Sequence, residues 1–222
     1  LILDFLSSIT YKVVLLILTS ISFAIIARTY GPSVNGQIAF VLALVYIGKS
    51  FTNLGLEGIV IREIVKYPNL SSKIMRTVFP IKAFIAFLAF LGMLMYGAFL
   101  QFNSQNSFEF VYASAPIVLF SINSVFLLYF QAQSKHILIS IVMILNTSIF
   151  VGVKIFFSVL KCNPIYILLA TGLQEFALLV VFSILFLKTN SVKKLVNSNF
   201  SFLLTKRLIV SSKYLAISAI LA

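Results

Sequence analysis

Three side chains in one apolar stretch carry the first chemistry of this chain: Lys49, Asn53 and Glu57 follow one another at four-residue intervals, with Tyr46 three positions before the lysine. On a helix that spacing sets an ammonium, an amide and a carboxylate on a single face. A lysine at the centre of a lone membrane helix costs about 2.5–3.5 kcal/mol on insertion scales, so such groups turn toward a bundle interior or a watery cavity. Two readings stay open: the stripe lines a cavity that meets a polar or anionic substrate, or it latches to a neighbouring helix through a salt bridge or hydrogen bond. A second set lies further along. Lys154 has Asn146 two turns before it and Thr147 seven residues before it, while Gln174 and Glu175 sit mid-stretch. Lys154, near the end of its stretch, either faces inward or snorkels outward. Glu175 is the one acid of its stretch; Lys49 or Lys154 is its expected partner, and a proton or cation site is the alternative. Asn123, Ser124 and Gln131 read as packing hydrogen bonds.

Enzyme chemistry is not in view. Gly48-Lys49-Ser50 ends like a phosphate-binding loop, but that motif needs a glycine at position 43, where this chain has Ala43. Cys162 and His136 are each the single residue of their kind, which leaves no intrachain disulfide, no cysteine metal cluster and no nucleophile–base grouping. No enzyme activity, metal or cofactor is expected.

The elements that must hold these groups are membrane helices. The chain is 61% hydrophobic, with 23 Phe, and its 17 Lys and Arg fall mostly into gaps between apolar stretches. A hydrocarbon core of about 30 Å takes roughly 20 residues of helix, and the stretches run apolar without the alternation of barrel strands. The expected spans are 11–29, 37–60, 77–100, 110–131, 136–160 and 164–187, with a seventh beginning near Leu208. Gly31 and Pro32 end the first, and Ser33 or Asn35 is the expected cap of the second. The polar run 101–107 ends the third, and Asn163-Pro164 divides the fifth from the sixth. Ser20 with Ala24, and Ala39 with Ala43, have the spacing of close helix contacts. A start at Leu1 and a stop at Ala222 inside an apolar run read as a fragment.

Loop charge then fixes an orientation. With the N-terminus cytosolic, the inside holds thirteen cations, from Lys12 through Arg62, Lys66, Lys73, Arg76, Lys82, Lys135 and Lys188 to Lys213, against Arg28 and Lys161 outside. A net charge of +12 is thereby accounted for by anionic headgroups along one membrane face, without nucleic acid.

Two segments also carry a resemblance. Ile26-Ala27-Arg28-Thr29-Tyr30-Gly31-Pro32-Ser33-Val34-Asn35-Gly36, and then Asn53-Leu54-Gly55-Leu56-Glu57-Gly58-Ile59-Val60-Ile61-Arg62-Glu63-Ile64, resemble the opening of bacterial polysaccharide biosynthesis membrane proteins. These are the Wzx-type O-antigen flippases of the multidrug/oligosaccharidyl-lipid/polysaccharide exporter superfamily. The resemblance implies an all-α polytopic membrane protein: a six-helix lobe over 1–187, a basic cytosolic linker over 188–207, and the start of helix seven over 208–222. That is half of a MATE-like two-lobe transporter in the bacterial cytoplasmic membrane.

The implied activity is translocation of undecaprenyl-diphosphate-linked oligosaccharide by alternating access. Arg28 aligns with the family's arginine, and either contacts the diphosphate or anchors at the interface. Lys49 and Lys154 would attract the diphosphate with it, Asn53, Asn146 and Gln174 would bond sugars, and Glu57 or Glu175 would couple an ion. Expected partners are the lipid-linked oligosaccharide, membrane lipids and polysaccharide assembly proteins. Rival readings are a drug or metabolite exporter of the same superfamily, a membrane glycan polymerase or ligase, and an inactive truncated product.

Overall fold

The computed structural model describes residues 2–53, 56–102 and 108–188, with side chains from residue 9 onward except those of Asn53 and Leu56. The basic linker beyond Lys188 and the seventh helix expected at 208–222 lie outside the described residues, as do 103–107 of the polar run.

Helix α1, Ile2–Asn53, is 52 residues long. Drawn straight it would reach about 78 Å, more than twice the hydrocarbon thickness. It is not straight. Gly31, at φ 80 and ψ 174, breaks the helical path, and Pro32 follows where a helix's first turn has no use for an N–H. Side chains from Thr19–Ile26 and from Ile38–Tyr46 line one cavity, so the two halves lie side by side about Gly31. The second half is helical through Ser33 and Asn35, and the Oδ1 atom of Asn35 is buried without a hydrogen bond, so neither residue acts as the expected cap.

After α1 come α2, Leu56–Lys66, a 3-10 turn at Pro68–Leu70, and α3, Ser71–Phe102. Helices α4, Phe108–Phe120, and α5, Ser124–Ala132, are joined by a 3-10 turn at Ser121–Asn123 and together fill the expected fourth span. Helices α6, His136–Val159, and α7, Ile165–Lys188, complete the bundle. The turns between the last three are tight for the same reason. Helix α5 ends with Ser134 at φ 58, where its N–H bonds to the carbonyl of Gln131 and that of Lys135 to Phe130. Helix α6 ends with Lys161 at φ 51, bonded to Ser158, while Cys162 bonds to Phe157. Each pair closes a helix in the manner usually left to glycine. Asn163 then caps α7, its Oδ1 accepting from the Ile165 N–H, with Pro164 in the first turn.

Among the described residues there is no strand, and five helical runs are long and apolar enough to cross a membrane. They are Ile9–Lys66, Pro68–Phe102, Phe108–Ala132, His136–Val159 and Ile165–Lys188. The first run holds two of the expected spans, 11–29 and 37–60, because α1 continues past the bend at Gly31. Large apolar side chains such as Leu16, Phe84, Met95, Ile149 and Leu173 are exposed on the outside. That is compatible with a multi-pass membrane protein, whose outer face meets acyl chains rather than water.

Inside, the bundle has two apolar clusters. One gathers Val60, Ile64, Met75, Val78, Tyr129, Phe130, Ile139 and Phe186. The other gathers Ile26, Ile38, Val41, Leu100, Val111, Ile117 and Leu168. Along α1, α3, the α4–α5 pair and α7, polar residues fall between the stretches that feed the two clusters: Lys49 and Thr52, Lys82, Ser121 to Ser124, and Thr171 to Glu175. Asn146 and Thr147, the buried amide and hydroxyl of α6, join the same layer.

Candidate functional site: a polar layer and a lysine-lined cavity

The layer is bonded across the bundle. Lys49 on α1 forms a salt bridge with Glu175 on α7, Nζ to Oε1 at 2.5 Å. The second oxygen of Glu175 accepts from Asn123 Nδ2 at 2.8 Å. One carboxylate therefore ties α1 and the 3-10 turn to α7. Beside it, Thr52 donates to its own helix at Lys49 and meets Ser121 Oγ at 3.4 Å.

Gln174 does the same toward α6. Its Oε1 accepts from Lys154 Nζ at 2.9 Å, its backbone carbonyl accepts from Asn146 Nδ2 at 3.2 Å, and its Nε2 reaches Thr147 Oγ1 at 3.5 Å. Glu175 attracts the Lys154 ammonium and Lys49 repels it, yet the direct partner of Lys154 is a neutral amide. Of the two partners expected for Glu175, Lys49 takes the contact.

Lys82 was expected among the cytosolic loop cations, and the structure corrects this. Residue 82 falls within the expected span 77–100, and with α3 beginning at Ser71 it stands three turns into the bundle, 1% exposed. Its Nζ donates to Ser124 Oγ at 3.0 Å, and Glu57 acts on it electrostatically. The signal available in sequence was the span itself, whose apolar residues stand on both sides of Lys82, from Val78 to Ile81 and from Ala83 onward. Asn123 and Ser124 bind the two charged centres and do more than pack helices together.

Of the remaining candidates, Asn53 closes α1 but its side chain lies outside the described residues. Glu57 is half-buried in the first turn of α2. Arg28 is exposed on α1, one turn before the bend, and is not drawn into the layer. Its neighbours are: Thr29 Oγ1 lies 2.8 Å from Ser158 Oγ, and the Tyr30 hydroxyl donates to the Cys162 carbonyl at 2.7 Å. These bonds pin the bend of α1 to the end of α6.

Lys154 opens onto a cavity of about 460 Å³ between the halves of α1, with α6 and α7 behind it. Ser20, Ser22 and Tyr46 contribute hydroxyls to its wall, among Phe23, Ile38, Leu42 and Val151, while those of Thr19 and Thr171 donate to the Leu15 and Ile167 carbonyls and present only their acceptor side. Ser20 and Ala24, expected at a close helix contact, line this space instead. The layer and cavity together hold Lys49, Lys82 and Lys154 against Glu57 and Glu175, a surplus of one cation. An anion flanked by groups able to accept hydroxyl bonds fits such a wall. Among the described residues no three His, Cys, Asp or Glu side chains gather as metal ligands would.

Compared with family models, curated proteins and solved structures, the chain matches none.

Proposed function

We propose that this chain is a six-helix transmembrane lobe of a polysaccharide flippase, passing a lipid-linked oligosaccharide diphosphate between the leaflets of the bacterial cytoplasmic membrane. The single observation that carries the reading is Lys154: a cation held by a neutral amide at the edge of a hydroxyl-lined cavity, inside a bundle whose outer face is apolar. A charge in that setting is dearly kept by a protein with no use for it. A diphosphate and its sugars cannot enter hydrocarbon, so their route must be hydrated and cationic while the polyprenyl tail stays in lipid.

In this reading α1 crosses twice, once on each side of Gly31, and the six crossings form one lobe of a MATE-like pair. Lys154 draws the diphosphate, and Tyr46 with the Ser and Thr hydroxyls of the wall exchanges hydrogen bonds with sugar. Lys49, bound to Glu175, sets the position of α7 and with it Gln174, which orients Lys154. Rocking of the two lobes exposes the cavity to each side in turn.

The test has two parts. With Cys162 replaced by Ser, cysteines at positions 46 and 171 should react with a membrane-impermeant thiol reagent, whereas cysteines at 84 and 149 on the outer face should not. In cells, Lys154→Ala should abolish surface polysaccharide at unchanged protein level. Normal display by that variant, or unreactive cavity cysteines, would end the proposal.

A further inference from the structure

The basic end of the bundle carries a second cavity that the flippase reading does not use. It encloses about 300 Å³ where the first turns of α3 meet α5 and the last turn of α7. Met75, Phe79, Phe126, Phe186 and Leu187 make its wall almost wholly apolar, and Arg76 stands at its edge. The aromatic rings form a continuous chain, Phe79 to Phe126 at 5.9 Å and Phe126 to Phe186 at 5.4 Å between centroids. Phe79 is exposed and Phe186 is buried, so the groove deepens inward from the outer surface. Two more cations stand close along the chain: Lys73 lies one turn before Arg76 on α3, and Lys188 follows Leu187 at the end of α7.

We propose that this groove is a binding site for an anionic membrane phospholipid, one acyl chain lying along the phenylalanines and the phosphate held by Arg76 with Lys73 and Lys188. Three arguments converge on that occupant. The groove opens between the first turns of α3 and the last turns of α7, the level at which headgroups sit beside a spanning bundle. Its wall has no polar group to satisfy a sugar or peptide; the Ser183 hydroxyl that borders it is already bonded to the Leu179 carbonyl. The cationic rim complements a phosphate, and each basic side chain near a membrane surface favours an anionic headgroup by roughly fivefold. The site is independent of the Lys154 cavity, and neither proposal depends on the other.

The chain contains no Trp, so Phe79→Trp installs a single fluorophore in the groove. The purified chain would be reconstituted in vesicles of phosphatidylcholine containing a minor fraction of dibrominated phosphatidylglycerol or, in parallel, of dibrominated phosphatidylcholine. Quenching should favour the anionic lipid about fivefold or more. Arg76→Gln should cut that preference about fivefold, and Ser183→Phe, which fills the groove from α7, should lower quenching by both. Equal quenching by the two lipids in the parent overturns the proposal, as does an unchanged preference in both variants. Displacement of the brominated lipid by undecaprenyl phosphate at equal mole fraction would assign the groove to the carrier lipid instead, and overturns it as well.

Discussion

Glu175 accepts from two elements at once, which makes its partners unequal to lose. Removing Lys49 strands a carboxylate between helices, whereas removing both members of the pair leaves an apolar contact of similar volume. Lys49→Met should lower stability by about 2 kcal/mol, between the values for interhelical hydrogen bonds and for a fully buried pair. Adding Glu175→Leu should return at least half of that loss. Unfolding of the purified chain in mixed detergent measures both, and an additive double mutant would show that the pair is not coupled. Lys82 offers a sharper contrast. With 1% exposure it has no water to fall back on, so Lys82→Ala should cost about 3 kcal/mol or more, while Lys135→Ala at an exposed turn should change stability by less than about 0.5 kcal/mol. Sequence showed that Lys49 and Glu175 needed partners, because each is the charge of an apolar stretch. Lys82 was hidden by the tally of cations: it falls inside the expected span 77–100, yet counts with Lys73 and Arg76 on the cytosolic side because it stands near that end of the helix.

Helices were legible as lengths of apolar sequence, but their interruptions were legible only where glycine, proline or a run of polar residues marked them. Gly31-Pro32 announced the bend in α1, and Asn163-Pro164 the start of α7. The 3-10 turn at Ser121–Asn123 had no such mark. It is held by bonds from elsewhere, Thr52 to Ser121, Asn123 to Glu175 and Lys82 to Ser124, which a pattern within one segment cannot display. Glycines separate in the same way. A Cβ added at Gly97 would stand 2.9 Å from the Tyr112 ring, whereas one at Gly92 would meet nothing within 4 Å. Gly97→Ala should therefore destabilise the α3–α4 contact by about 1–3 kcal/mol, and Gly92→Ala should be neutral or gain up to about 1 kcal/mol. Gly31→Ala also meets no atom, but its φ of 80 with ψ of 174, a region almost confined to glycine, should cost about 1–3 kcal/mol through the backbone alone. Thermal unfolding of the three variants should rank Gly92→Ala above the other two.

At the scale of the whole molecule, the ends of the bundle differ in charge. Lys66, Lys73, Arg76, Lys135 and Lys188 lie toward one apolar cluster, while Arg28 and Lys161 lie near the other end, beside the bonds that join Tyr30 to Cys162. If the first of these ends is cytosolic, alkaline phosphatase fused after residue 33 or residue 162 should be active, and fused after residue 135 or residue 188 inactive. The reverse pattern would invert the membrane orientation and the direction of transport with it. The polar layer has a mechanical consequence at this scale. Sliding α7 along α1 by one turn, about 5.4 Å, would part Glu175 from Lys49 and from Asn123 together, in a medium that supplies no substitute partners. The charged belt thus works as a key that sets the vertical register of every helix it touches. Movement in this bundle is left to tilting as a block or bending at Gly31 and Ser121–Asn123, where the backbone departs from the α-helix inside a described apolar run.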